Sequence, residues 1–178
     1  TGIGREDGGS FSQVSNITYR ILDVIPLDSD KGEGVSSLNS NPTHFELGYA
    51  THRNTEKPLN IVIKACDVLI TRFELIAASI AKILPKEEYY YSDLIQLETH
   101  GSIKKIQIKN ENWTTINLIV RYCYILTNGN IKFITPSIIH PEIETGVIQI
   151  SHPEYLKLIQ NSIKKIIEEF NSIKKSFK

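Results

Sequence analysis

Lys104, Lys105 and Lys109 fall within six consecutive residues, and Trp113 follows four positions later. Cations at that spacing can neutralise neighbouring phosphates, and an indole can stack on a base, so the cluster is equipped to bind nucleic acid. Lys64 and Arg72, and further out Arg53 and Lys57, extend the same surface if the fold brings them near. The competing reading makes the lysines solubilising side chains and Trp113 a core anchor. Other chemistry is thinner. His44, His52, His100, His140 and His152 show no paired ligand spacing, so no metal site is expected. Cys66 and Cys123 stand in apolar runs, where a thiol is a poor nucleophile. Two buried free thiols in a reducing compartment are expected rather than a bridge. The segment GIGREDGG lacks the preceding strand and the following Lys-Ser/Thr of a phosphate loop, and no cofactor is expected.

The bulk composition restrains the nucleic-acid reading. The 178 residues carry 20 basic and 20 acidic side chains, so no overall field draws the chain to a polyanion. The balance is uneven: residues 1–58 hold five basic and eight acidic side chains, and residues 59–134 hold nine and seven. A chain that is 40% hydrophobic can bury one sizeable core without disulfides. No apolar run reaches membrane-spanning length and no signal peptide is evident, so no membrane partner is expected. Beginning at Thr1 and lacking Met, the chain reads as a processed or excised product. The expected location is intracellular, nuclear or cytoplasmic, with an organelle left open because a targeting segment would already be gone.

The elements that must position these residues follow from periodicity. Residues 1–16 are Gly- and Ser-rich and read as a loose arm, and 17–25 as a strand. Pro42 precedes THFELGYATHR, which reads as a short helix over 43–53. LNIVIKA, 59–65, reads as a strand, and Asp67 as the N-cap of a helix over 68–84. Leu69, Phe73, Ile76, Ile80 and Ile83 would form the buried stripe of that helix, with Pro85 ending it. Residues 92–110 read as one long or two broken strands. In 113–126, Ile116, Leu118, Val120, Tyr122 and Tyr124 alternate as a strand, with Asn128-Gly129 as a hairpin turn into 131–134. Residues 146–151 read as a further strand. The last helix, 153–177, carries the stripe Tyr155, Ile159, Ile163, Ile166, Phe170, Ile173 and Phe177. That stripe faces its own core or a partner helix. The class expected is α+β, one mixed sheet backed by helices, with one main domain over 17–152 and the helix 153–178 appended.

With strand and helix placed, residues 35–126 resemble the Alba superfamily, which includes archaeal chromatin proteins and the paired small subunits of ribonuclease P and MRP. Ile61-Val62-Ile63-Lys64-Ala65 is similar to the family's second strand, and Ile70 and Ala77 fall where its next helix places apolar residues. Asn41-Pro42-Thr43 is similar to its Lys-Pro-Thr helix start. The resemblance implies a β-α-β-α-β-β core, a homodimer or heteromeric partner, and RNA, or less readily DNA, as ligand. The chain would then be a non-catalytic subunit of a ribonucleoprotein or chromatin-type assembly. The implied surface is Lys64, Arg72, Lys104, Lys105, Lys109 and Trp113. This chain departs from the family where Ser40 and Asn41 replace basic residues, and where Cys66-Asp67-Val68 replaces an Arg-Gly-Arg type corner. An acid there repels phosphate.

A different resemblance competes. LDVIPLDS, NPTHFELGYA and EKPLNIVI are similar to TIR-like and nucleoside deoxyribosyltransferase-like enzymes, in which the Glu of E-L-G-x-A works on an N-glycosidic bond. Glu46 would carry that role, with Asp23 and Asn41 nearby; a carboxylate suits a sugar carbon that becomes cationic as its base departs. Such folds need βαβ units and a parallel sheet.

Overall fold

The computed structural model describes residues 14–21, 45–51, 57–84, 87–140 and 143–177. They fall into two compact units that divide between Val62 and Ile63. In the first, β1 (Val14–Ile21) pairs antiparallel with β2 (Phe45–Thr51), placing Ile17 opposite Tyr49 and Arg20 opposite Glu46. The helix expected over 43–53 is this second strand. Phe45, Leu47 and Tyr49 alternate with Glu46, Gly48 and Ala50, a period of two. A segment this short, with a central Gly, cannot sustain an isolated helix, whereas a strand partner satisfies its backbone. Residues 1–13 of the expected arm, and Asp23, Asn41 and Arg53, lie outside the described residues.

Helix α1 (Pro58–Ile80) runs through the dividing point. The strand expected at 59–65 is its first turns. Pro58 occupies the first helical position, where its missing N–H would be unpaired in any case. β-branched residues such as Ile61, Val62 and Ile63 cost a helix only about half a kcal/mol each. The stripe Cys66, Ile70, Phe73, Ile76 and Ile80 is buried and outweighs that cost. Asp67 therefore lies inside the helix rather than at its cap, and its carboxylate pairs with Lys174.

The second unit is built on β3 (Tyr89–Tyr91), β4 (Ile95–His100), β5 (Ile103–Lys109), β6 (Phe133–His140) and β7 (Ile143–Ser151). They form one sheet in the order β3-β4-β5-β7-β6, with every neighbouring pair antiparallel. Helix α2 (Trp113–Leu126) joins β5 to β6, and α3 (Tyr155–Ser176) follows β7. The protein is α+β, with a sheet backed by helices. The element order nevertheless differs from β-α-β-α-β-β, and the sheet is antiparallel where a mixed one was expected. The largest difference is α2, expected as a strand. Its buried residues are Thr115, Ile116, Ile119, Val120 and Cys123, a helical spacing hidden beneath the apolar alternation. The Asn112 side chain accepts the Thr115 amide at 3.2 Å and caps the helix. Asn128 and Gly129, at φ 50° and 76°, end α2 in left-handed conformations instead of turning a hairpin. The Gly129 amide donates to the Tyr124 carbonyl at 2.9 Å.

One face of the sheet carries the core. Ile95 and Leu97 of β4 lie opposite Ile108 and Ile106 of β5, Ile148 of β7 lies opposite Ile106, and these five with Ile150 are fully buried on one face. α2 approaches so closely over Gly146 that a Cβ there would overlap Ile116 Cγ1 and Cδ1. Along α3, Tyr155, Ile159, Ile163 and Ile166 are buried in the same core, and Phe170 stacks on Phe73 at 6.1 Å between ring centroids. The final helix therefore belongs to the second unit and is not appended to it. Only Ile173 and Phe177, at the end of its stripe, are exposed.

Candidate nucleic-acid interface

Strand alternation sorts the cationic cluster onto two faces. Lys104 shares the core-facing side of β5 with Ile106 and Ile108, while Lys105, Gln107 and Lys109 point to the other side. Three lysines expected together are thus divided. Lys104 sits at the rim of the core, where its ammonium is 2.9 Å from Thr99 Oγ1 and 5.8 Å from the Tyr155 ring centroid. Lys105 and Lys109 share their face with Gln96 and Glu98 of β4 and with Tyr89 and Tyr91 of β3.

The outer β3–β4–β5 edge has two different halves. In one, Lys105 is 3.2 Å from Glu98, and Gln96 donates to the same carboxylate at 2.7 Å. His100 Nε2 stands 3.6 Å from it. The hydrogen bond from Lys105 is the main cause holding the Glu98 carboxyl below its usual range. That half is electrostatically self-satisfied. In the other half, Lys109 Nζ lies 4.6 Å from the Tyr91 ring centroid and 3.1 Å from the Tyr91 hydroxyl. Tyr89 and Tyr91 are 62% and 58% exposed, while Tyr90 between them turns inward and packs against the core. This half offers an aromatic surface with a cation beside it. Toward the middle of the same face, Gln107, Thr145 and Val147 are buried.

The remaining expected residues lie elsewhere. Lys64 is an exposed residue of α1, not of a strand. Arg72 is committed to structure: its Nε donates to Glu111 Oε1 at 2.6 Å, and its Nη2 donates to the Asn110 carbonyl. Trp113 opens α2 and is 47% exposed, so it is neither the expected core anchor nor a neighbour of Lys109 on the sheet face. Glu46 stands exposed on β2 of an antiparallel hairpin, and no βαβ unit surrounds it among the described residues. The parallel sheet that the carboxylate-enzyme resemblance implies is not present among the described residues. Tyr89 and Tyr91 lie outside the cluster that lysine spacing picks out, in a stretch where Glu87, Glu88 and Asp93 give the sequence a solvated, loop-like character. The signal was available: three β-favouring residues with Ser92 after them, whose hydroxyl and amide bond to Ile95 and fix the turn into β4.

Both cysteines are free and buried, as expected. Burial pushes the Cys123 thiol up to about 11, against a lesser opposing influence from Ser162, whose Oγ is 3.2 Å from the sulfur. Among the described residues no cluster of His, Cys, Asp or Glu could hold a metal ion, and no helix is long and apolar enough to cross a membrane. Comparison with protein-family models and with curated proteins returns no match.

Proposed function

We propose that this chain is a non-catalytic subunit that binds the unpaired bases of RNA, in preference to DNA, on the outer β3–β4–β5 edge. The observation that carries the reading is the Tyr91–Lys109 pair beside the exposed Tyr89 ring. Stacking on an aromatic ring is worth about 1–3 kcal/mol per base and tolerates any base, and an adjacent ammonium can meet the phosphate that follows. Gln96 shares that face, its amide nitrogen held by Glu98 and its carbonyl oxygen left to accept from a base edge. Affinity should be modest, because the net charge is zero and Lys105 already has Glu98. The proposal rests on this face and not on the Alba resemblance, whose strand motif Ile61–Ala65 lies in α1.

A weak isolated binder gains affinity when fixed in a particle, so we place the chain in a homodimer or heteromeric ribonucleoprotein. Val68 and Leu75 are exposed a heptad apart on α1, and Ile173 and Phe177 are exposed on α3; these apolar side chains suit a protein partner. The expected location remains intracellular, where buried free thiols persist.

Fluorescence anisotropy with labelled single-stranded RNA, the matching DNA and a duplex tests the reading. Lys109→Gln should weaken RNA binding for every sequence and reduce the salt slope by about one. Lys105→Gln should change it less, because its partner Glu98 already neutralises it. Equal affinity and slope in a Lys105→Gln/Lys109→Gln variant would overturn the assignment.

A further inference from the structure

A cleft of about 680 Å³ opens at one end of the second unit's sheet, where three chain turns meet. The β4–β5 turn supplies residues 101–102, the α2–β6 connection residues 129–132, and the β7–α3 junction residues 151–153. Lys104 and Tyr155 complete the lining. Gly101 and Gly129 both hold positive φ, so two of these turns depend on glycine to take their shape.

The chemistry of this lining is one-sided. It contains two lysines, Lys104 and Lys132, and no carboxylate. Lys105, Lys157, Lys165 and Lys174 each have a carboxylate within ion-pair distance. Among the described residues, Lys104 meets the Thr99 hydroxyl and the Tyr155 ring, and no carboxylate pairs with Lys104 or Lys132. Two uncompensated cations in a concave surface focus a positive potential. Neutral donors stand beside them. His152 Nδ1 accepts the Glu154 amide at 3.1 Å, which places the ring proton on Nε2 and makes that nitrogen a donor. Ser102 and Ser151 contribute hydroxyls, and α3 begins at the cleft with its partial positive end. Ile131 supplies an apolar wall. The volume suits a small organic ligand rather than a bare ion.

We infer that this cleft binds a phosphate monoester of nucleotide size, its phosphate held by Lys104 and Lys132 and its organic part lying along Ile131. The site uses none of Tyr89, Tyr91, Lys105 or Lys109, so it stands or falls separately from the sheet-face reading. A terminal phosphate of a nucleic-acid strand and a free nucleotide present the same chemistry, and competition separates them.

Isothermal titration of the full chain with AMP, inorganic phosphate and adenosine is the test. AMP should bind with a stoichiometry of one, phosphate more weakly at the same site, and adenosine not measurably. Lys104→Gln and Lys132→Gln should each weaken AMP binding about tenfold or more, the loss expected for one charge-assisted hydrogen bond. Lys132 is exposed, so its variant keeps the fold, checked by circular dichroism. A 5′-phosphorylated oligonucleotide that displaces AMP, where the 5′-hydroxyl form does not, supports the site and assigns it to strand ends. Failure of both oligonucleotides with AMP binding intact supports it and assigns it to free nucleotide. No binding of AMP or phosphate, or undiminished AMP binding in both lysine variants, overturns the inference.

Discussion

Replacing Arg72 should damage the fold and leave the nucleic-acid surface alone. Glu111 is only 2% exposed and immediately precedes the α2 cap Asn112. One carboxylate oxygen accepts Arg72 Nε at 2.6 Å, and the other, Oε2, is buried without a hydrogen-bond partner. Arg72 also holds the Asn110 carbonyl, at a residue whose φ is 60°. The guanidinium therefore ties α1 to the corner between β5 and α2. Arg72→Ala strands a buried charge, a lesion that costs about 3–5 kcal/mol when both partners are buried. The Arg72 side chain is 36% exposed, so water screens part of the pair. About 2–4 kcal/mol is expected, against a total stability of about 5–15 kcal/mol for a typical domain. With a urea slope of about 1–3 kcal/mol/M, the midpoint should fall by about 1 M or more. Urea unfolding followed by circular dichroism reads it directly. Arg72→Ala/Glu111→Leu should recover part of the loss, because no charge remains buried. A cost below about 1 kcal/mol, or a double variant no more stable than Arg72→Ala, would refute the reasoning.

Other expectations probe the packing, the thiol and the association. Gly146→Ala should cost about 1–3 kcal/mol by overpacking against Ile116, and in an Ile116→Ala background the same change should cost little or stabilise. Thermal unfolding of the four species in that cycle checks it, and independent, additive effects would remove α2 from its place over β7. Cys123, raised from 9.0 to about 11, keeps its proton in the folded chain over a range where the unfolded chain has lost it. Its stabilising contribution is therefore complete below about pH 9 and is lost toward pH 11, at about 1.4 kcal/mol per pH unit and close to 3 kcal/mol in all. Stability measured from pH 8 to 11 should fall less steeply in Cys123→Ala than in the parent, and parallel curves would contradict the buried-thiol account. Sedimentation should show a homodimer, or a monomer that recruits a protein partner, and Val68→Glu/Leu75→Glu should disperse that association. A stable monomer whose partner-binding is unchanged by both glutamates would exclude this α1 surface.

What the sequence made legible was the fold class, the β4–β5 region and α3. The last carries Ile159, Ile163 and Ile166 at spacings that only a helix can bury together. What it concealed were two helices whose exposed faces also carry several large apolar residues, among them Val68 and Leu75 on α1 and Tyr124 and Ile125 on α2. In α2, Leu118, Tyr122 and Tyr124 fill the gaps between buried positions, so a period of two overlies the true 3.6. In α1, Ile61, Val62 and Ile63 mimic a strand until the stripe from Cys66 to Ile80 is counted as one register. The candidate site was half legible for the same reason. Lys105 and Lys109 could be found by spacing, but only strand alternation separates Lys104 from them. Only the pairing of β3 with β4 brings Tyr91 to Lys109. Arg72 was misassigned because no sequence pattern announces a partner 39 residues away.

Hydroxyl-radical footprinting of the chain with and without a saturating single-stranded RNA tests the central claim most directly. Tyr89 and Tyr91 are exposed when free and should be protected in the complex, because bases would cover their rings. Trp113, half exposed at the start of α2, should oxidise at the same rate in both states. Protection of Trp113 with Tyr89 and Tyr91 unchanged would move binding to the helical side and contradict the account.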